Sequence, residues 1–71
     1  MKYELNNRGL EPPQPMMRTL ARLEELQSGD VLTIHNDRLP AFLLPELDDL
    51  GYRYEVMEQE DGSCKLQISK V

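Results

Sequence analysis

Three prolines fall within four positions, Pro12, Pro13 and Pro15, directly ahead of a stretch with helical periodicity. No other feature limits the fold of this 71-residue chain as sharply. A proline ring fixes φ and removes an N–H, so it breaks a helix interior or a central strand yet fits the first turn of a helix. The segment Arg8-Gly9-Leu10-Glu11-Pro12-Pro13-Gln14-Pro15 therefore reads as a turn that delivers the chain from a short strand into a helix.

The flanking patterns agree. In residues 2–6, Tyr3 and Leu5 alternate with Lys2 and Glu4, which predicts a strand buried on one face. From Gln14 to about Gln27, Met16, Met17, Leu20, Leu23 and Leu26 recur at helical spacing, with one methionine in the core and the other at the surface. Ser28-Gly29 ends that helix. Val31 to Asn36 is predicted as a strand, Leu32 and Ile34 on one face, Thr33 and His35 on the other. After Asn36-Asp37-Arg38 a second helix begins at residues 41–43 and stops at Gly51, with Pro45 near its start and Phe42, Leu43, Leu47 and Leu50 directed inward. Residues 52–59 and 64–70 alternate as strands around Glu60-Asp61-Gly62, an Asp-Gly hairpin signal.

The order is strand, helix, strand, helix, strand, strand. Right-handed crossovers place both helices on one side of the sheet. The predicted fold class is α+β, a βαβαββ two-layer α/β sandwich in which two helices cover one face of a mixed four-stranded sheet, one domain over residues 1–71. The other face shows Glu4, Thr33, His35, Arg53, Glu55, Lys65 and Gln67 and is polar.

With 8 basic and 13 acidic residues the net charge is −5, which repels phosphate backbones and anionic membranes and speaks against nucleic-acid binding. No apolar run reaches the ~20 residues of a membrane span, and the first residues lack the apolar core of a secretory signal. Cys64 is alone, so no internal disulfide and no cysteine-based metal cage is available, and a cytoplasmic location is expected.

The motif and the element order together resemble the TusA/SirA-like family of sulfur-carrier proteins. The family's pattern is a hydrophobic strand, Arg-Gly-Leu, one variable residue, and Cys-Pro-x-Pro opening the first helix. Here Arg8-Gly9-Leu10, then Glu11, then Pro13-Gln14-Pro15 stand in those places, with Gly29, Asp37 and Gly51 as later markers. The resemblance implies a fold akin to the C-terminal domain of translation initiation factor three and a sheet order 1-2-4-3. It also implies that the sulfur-carrying cysteine falls at Pro12, so the chain resembles a cysteine-less, uncharacterised branch of that superfamily. Sulfur carriage needs a thiolate activated at a helix N-terminus. Proline has no nucleophile.

The expected function is a small non-enzymatic binding or regulatory module that presents Arg8, Gly9, Leu10, Pro12, Pro13, Pro15 and Met17, with Arg38, to a protein partner. No catalytic residue, cofactor or metal is expected. One histidine with Asp37 gives too few ligands for zinc, so His35 reads as a polar residue of the open sheet face. A small anion at the first helix N-terminus is the competing use of that end, with Gln14, Met16 and Met17 as the amide donors the prolines leave. Arg8, Arg18, Arg22 and Arg38 would add charge if they converged, against the commoner outcome of Arg–Glu pairing on the helix. Two alternatives are a sulfur-relay or redox-associated carrier using Cys64, which requires an exposed thiol of lowered pKa, and RNA binding by analogy of fold alone.

Overall fold

The protein's structure, a computed structural model, describes residues 1–70. Six elements follow one another: β1 (Lys2–Asn6), α1 (Gln14–Glu24), β2 (Val31–Asn36), α2 (Leu43–Leu50), β3 (Arg53–Glu58) and β4 (Cys64–Ser69). The sheet order is β1-β2-β4-β3. β1 and β2 run parallel, Leu5 beside Ile34, and β4 is antiparallel to both β2 and β3, with Leu66 between Ile34 and Val56. The fold is the α+β sandwich expected from the residue pattern, with two helices packed on a mixed four-stranded sheet.

Strand parity explains the core. Leu32 and Ile34 on β2 and Leu66 and Ile68 on β4 are fully buried, and Leu23, Leu26, Leu43 and Leu47 meet them from the helical layer. Each such side chain contributes about 1.5–3 kcal/mol through apolar burial. Tyr3, Leu5, Met16, Leu20, Tyr52 and Tyr54 close the margin of this cluster. On the opposite face Glu4, Arg53 and Glu55 are exposed and Thr33, His35, Lys65 and Gln67 half-buried, so that face is solvated and polar.

Helix ends depart from the periodicity at places where a backbone group finds another partner. α1 stops at Glu24 rather than near Gln27, because the Asp30 carboxylate accepts the Gln27 N–H (2.9 Å) and Leu26 N–H turns back to Leu23 O (3.1 Å). α2 ends at Gly51, whose φ of +82° is open to glycine and strained for other residues. There Gly51 N–H donates to Asp48 O and Tyr52 N–H to Leu47 O, which removes Tyr52 from β3 and starts that strand at Arg53.

Two residues expected inside are exposed. Phe42 is 88% exposed and Leu50 59% exposed. The helix begins only at Leu43, and the sheet takes the single stripe Leu43–Leu47. At about 100° per residue, Phe42 lies more than a quarter turn off that stripe, whereas Leu50 shares the face of Leu43 and is exposed as the last residue of the helix, next to its Gly51 cap.

Two carboxylates tie loops to the ends of the sheet. Asp30 accepts from the N-terminal ammonium of Met1 (2.8 Å) and from Gln27 N–H, and these bonds hold its pKa below the usual carboxylate value. Asp61 is lowered likewise by the Ser63 hydroxyl and the Ser63 N–H. A carboxylate whose folded pKa is depressed stabilises the fold above its unfolded pKa and loses that contribution as pH falls through the folded value. The thermal midpoint is therefore expected to hold steady from pH 7 to about pH 5 and to fall below about pH 4. Asp30→Asn and Asp61→Asn should each flatten the acid limb, measured by circular dichroism melts across that range.

Candidate functional site: a groove at the carboxyl ends of the parallel strands

Two loops leave the carboxyl ends of the parallel pair, residues 7–13 after β1 and 37–42 after β2. Here they are tied to each other at the base. Asn7 N–H donates to His35 O (2.8 Å), and the Asp37 carboxylate accepts the Gly9 N–H (2.8 Å). Gly9 has φ +81°, the left-handed region that favours glycine, and this conformation points its amide at Asp37. The Pro12-Pro13 bond is cis.

Between the loops lies an open groove of about 640 Å³. One wall is Leu10, Pro12, Pro13, Pro15 and Met16; the other is Arg38, Leu39, Pro40, Phe42 and Leu43. Asn7 and Asn36 line it where the two strands end. The turn after β1 is thus an open surface and not one sealed by its own side chains. Of the residues expected to form an interaction site, the groove gathers Leu10, Pro12, Pro13, Pro15 and Arg38. Met16 takes the lining position rather than Met17, which is 64% exposed next to it. Arg8 and Gly9 do not line the groove; they are exposed residues of the same turn, with Arg8 Nε donating to Asn6 Oδ1 (3.1 Å).

A buried polar cluster joins the turn to both strands, and the expected site did not include it. Asn7 (1% exposed) donates through Nδ2 to Thr19 Oγ1 (3.1 Å), to Asn36 Oδ1 (3.1 Å) and, at 3.5 Å, to Pro15 O. Thr19 in turn donates to Pro15 O (2.8 Å). Asn7 Oδ1 is buried and has no partner. The sequence held two signals for this cluster. Asn36 shares the parity of Leu32 and Ile34, and Thr19 sits within the apolar stripe of α1, three residues after Met16 and four before Leu23.

Other expected chemistries meet specific obstacles. At the start of α1, Gln14 N–H donates to Glu11 O (2.9 Å) and Met17 N–H to Pro13 O (3.0 Å), so two of the three amides available to an anion are engaged by the turn itself. The four arginines do not form one patch: Arg8 and Arg18 both donate to Asn6, while Arg22 and Arg38 stand elsewhere. Arg22 pairs with Glu25 (3.1 Å) and lies over the Tyr3 ring (5.4 Å to its centre), where it lines a depression of only about 80 Å³. Arg18 donates to Asn6 O (3.3 Å), and Arg38 stands on the groove wall.

His35 and Asp37 do not pair. His35 Nε2 meets Ser63 Oγ (2.8 Å), and Ser63 Oγ donates to Asp61. The serine proton is directed to the carboxylate and the histidine must donate, the reverse of the order that makes a serine nucleophilic. No group of three or more His, Cys, Asp or Glu able to hold a metal occurs among the described residues.

The placement of Cys64 speaks against the alternative that would route sulfur through it. Cys64 opens β4 at 2% exposure, and burial, followed by the nearby Glu58 charge, pushes its thiol up. A sulfur relay needs the opposite on both counts. Alkylation by iodoacetamide at pH 8 is expected to be at least tenfold slower than for a peptide thiol and to become fast in denaturing urea. Rapid labelling of the folded chain would contradict this placement.

The layer arrangement and the groove at the turn define a small α+β domain of SirA-like fold. A crystal structure of a SirA-like protein from Desulfitobacterium hafniense has the same architecture, with a TM-score of 0.83 and 26% identity over 93% of each chain. The family described as uncharacterized conserved protein DUF2249 matches residues 4–70, and the chain belongs to that family. No functionally curated protein matches it. No helix among the described residues is long and apolar enough to cross a membrane.

Proposed function

We propose that this chain is a non-enzymatic binding module that receives a protein partner in the groove between the Arg8–Met17 turn and the 37–43 loop, with no sulfur carried on the chain. The open groove of about 640 Å³ on that motif is the observation that supports it. Its volume falls within the roughly 300–1,000 Å³ of ordinary ligand sites. The position the TusA/SirA-like resemblance gives to the reactive cysteine is Pro12, which lines the groove and carries no nucleophile. Phe42 on its wall and Met17 beside it, both largely exposed, are the aromatic and adaptable contacts that protein interfaces favour. The net charge of −5 disfavours nucleic acid as the partner, and a reducing, cytoplasmic setting suits the single buried thiol.

Affinity capture on the immobilised chain, read by quantitative mass spectrometry, tests the proposal. Arg8→Ala, Met17→Ser and Phe42→Ser should each remove the same bound protein that wild type retains, while Glu55→Ala on the opposite face should not. A bound-protein profile indifferent to all three groove-side substitutions would end it.

A further inference from the structure

The outer edge of β3 is left unprotected. Next to the β3–β4 ladder, Gln59 N–H donates to Ser63 O (2.9 Å). Bonded and non-bonded pairs alternate along an antiparallel ladder. The backbone groups of Arg53, Glu55 and Met57 therefore face β4, and those of Tyr54 and Val56 point out of the sheet. Proteins commonly blunt such an edge with lysine, proline, a bulge or a covering segment. β3 reads Arg-Tyr-Glu-Val-Met-Glu, in unbroken register with β4, and has none of the first three. Val56 shares the core parity of Tyr54 yet is 39% exposed, so the helical layer leaves this margin bare. The other edge differs: β1 carries Lys2, and Arg18 Nη1 donates to its Asn6 O (3.3 Å).

The charges on β3 select what fits there. Arg53 and Glu55 are exposed on the open sheet face, and their cross-strand neighbours on β4, Ser69 and Gln67, are uncharged. Neither makes an ion pair among the described residues. A second β3 laid antiparallel, with a two-fold axis at Tyr54, sets Arg53 opposite the partner's Glu55 and Glu55 opposite the partner's Arg53. Opposite charges directly across a sheet are stabilising. In that register Tyr54 exchanges both backbone bonds with the partner's Tyr54, and Val56 N–H meets the partner's Tyr52 O. Tyr52 N–H already donates to Leu47 O, so only its carbonyl is called on. Moving the axis to Glu55 sets two carboxylates against each other. Moving it to Val56 leaves Arg53 and Glu55 opposite the uncharged Gln59 and Met57.

We propose that the chain associates with a second copy through antiparallel pairing of the two β3 strands, centred on Tyr54, into one continuous sheet with both helical layers on the same side. A contact of this kind is self-complementary and closes on itself. With a charge of −5 on each copy, association is weak and concentration-dependent. The two-fold axis places the grooves, at the carboxyl ends of β1 and β2, at opposite ends of the joined sheet. Both stay open, so groove binding does not depend on Glu55 and the dimer stands apart from the binding-module reading.

Sedimentation equilibrium on the full chain tests the dimer. Between about 20 µM and about 1 mM the 8.2 kDa chain should pass from monomer towards dimer. Glu55→Arg and Arg53→Glu each turn the attractive pairs into repulsive ones and should weaken the dimer at least about fivefold. The double variant, which exchanges the two charges, should return to within about twofold of wild type. Hydrogen exchange at the Tyr54 and Val56 amides should slow as concentration rises, while exchange at Glu4, on the β1 edge, should not.

A chain that stays monomeric at millimolar concentration would overturn the proposal. So would a dimer indifferent to the charge reversals, one that the double variant does not restore, or exchange that slows at Glu4 instead of Tyr54 and Val56.

Discussion

Asn7→Asp is expected to cost about 3 kcal/mol of stability at neutral pH, and most of that should return on acidification. The substitution is nearly isosteric, so packing is unchanged. It replaces an NH2 surrounded by Thr19 Oγ1, Asn36 Oδ1 and Pro15 O with a charged acceptor at a site that is 1% exposed. Rotation of the Thr19 hydroxyl and a flip of the Asn36 amide restore two donors, but the Pro15 carbonyl then faces a negative charge away from water. Burial and neighbouring acceptors disfavour the ionised form, so the folded pKa of the new carboxyl lies above its unfolded value. For a carboxyl raised in this way, the loss of stability sets in as pH rises above the unfolded pKa and is absent below it. Urea unfolding at pH 7 and pH 4.5 reads this directly. The variant should be the more stable at pH 4.5, where wild type is not, and equal stability at the two values would show that the cluster is not buried as described.

Ile34→Ala is expected to remove about 2–5 kcal/mol, against roughly 4–10 kcal/mol for a domain of this length. Ile34 is fully buried in β2, with Leu5 on the parallel neighbour and Leu66 on the antiparallel one, so the cavity opens at the centre of the sheet where neighbours on both sides are fixed by register. Ile34→Val removes one methylene and should cost about 0.5–1.5 kcal/mol. Chemical denaturation of the pair would settle both values. A loss below 1 kcal/mol for the alanine variant would mean that the core can collapse around the deletion.

The two residues at issue differ in how openly the sequence declares them. Ile34 is announced by alternation with Leu32, and the same parity also places Asn36 and, on the last strand, Cys64 on the buried face. The order of elements was legible for the same reason, from period-2 runs and a helix-starting proline turn, whereas the sheet order 1-2-4-3 followed from the family resemblance. Phe42 was misread because an apolar residue one step before a helix start looks like part of its stripe, and only the observed start at Leu43 rotates it outward. The groove itself was only half legible. Its first wall is a local motif, whereas the second wall, Arg38 to Leu43, joins it through the β1–β2 pairing and the Asp37–Gly9 bond, contacts between residues about thirty positions apart. The hydrogen bonds that engage the Gln14 and Met17 amides depend on the backbone path of the turn, which residue types alone do not specify.

Binding in the groove, and not a sulfur atom carried on the chain, is the work proposed for this domain. Incubation with a cysteine desulfurase and free cysteine, followed by intact mass measurement under non-reducing conditions, tests it most directly. The mass of the folded chain is expected to stay unchanged. A stable adduct of roughly 32 Da, one sulfur atom in persulfide linkage, that disappears in Cys64→Ser would contradict it.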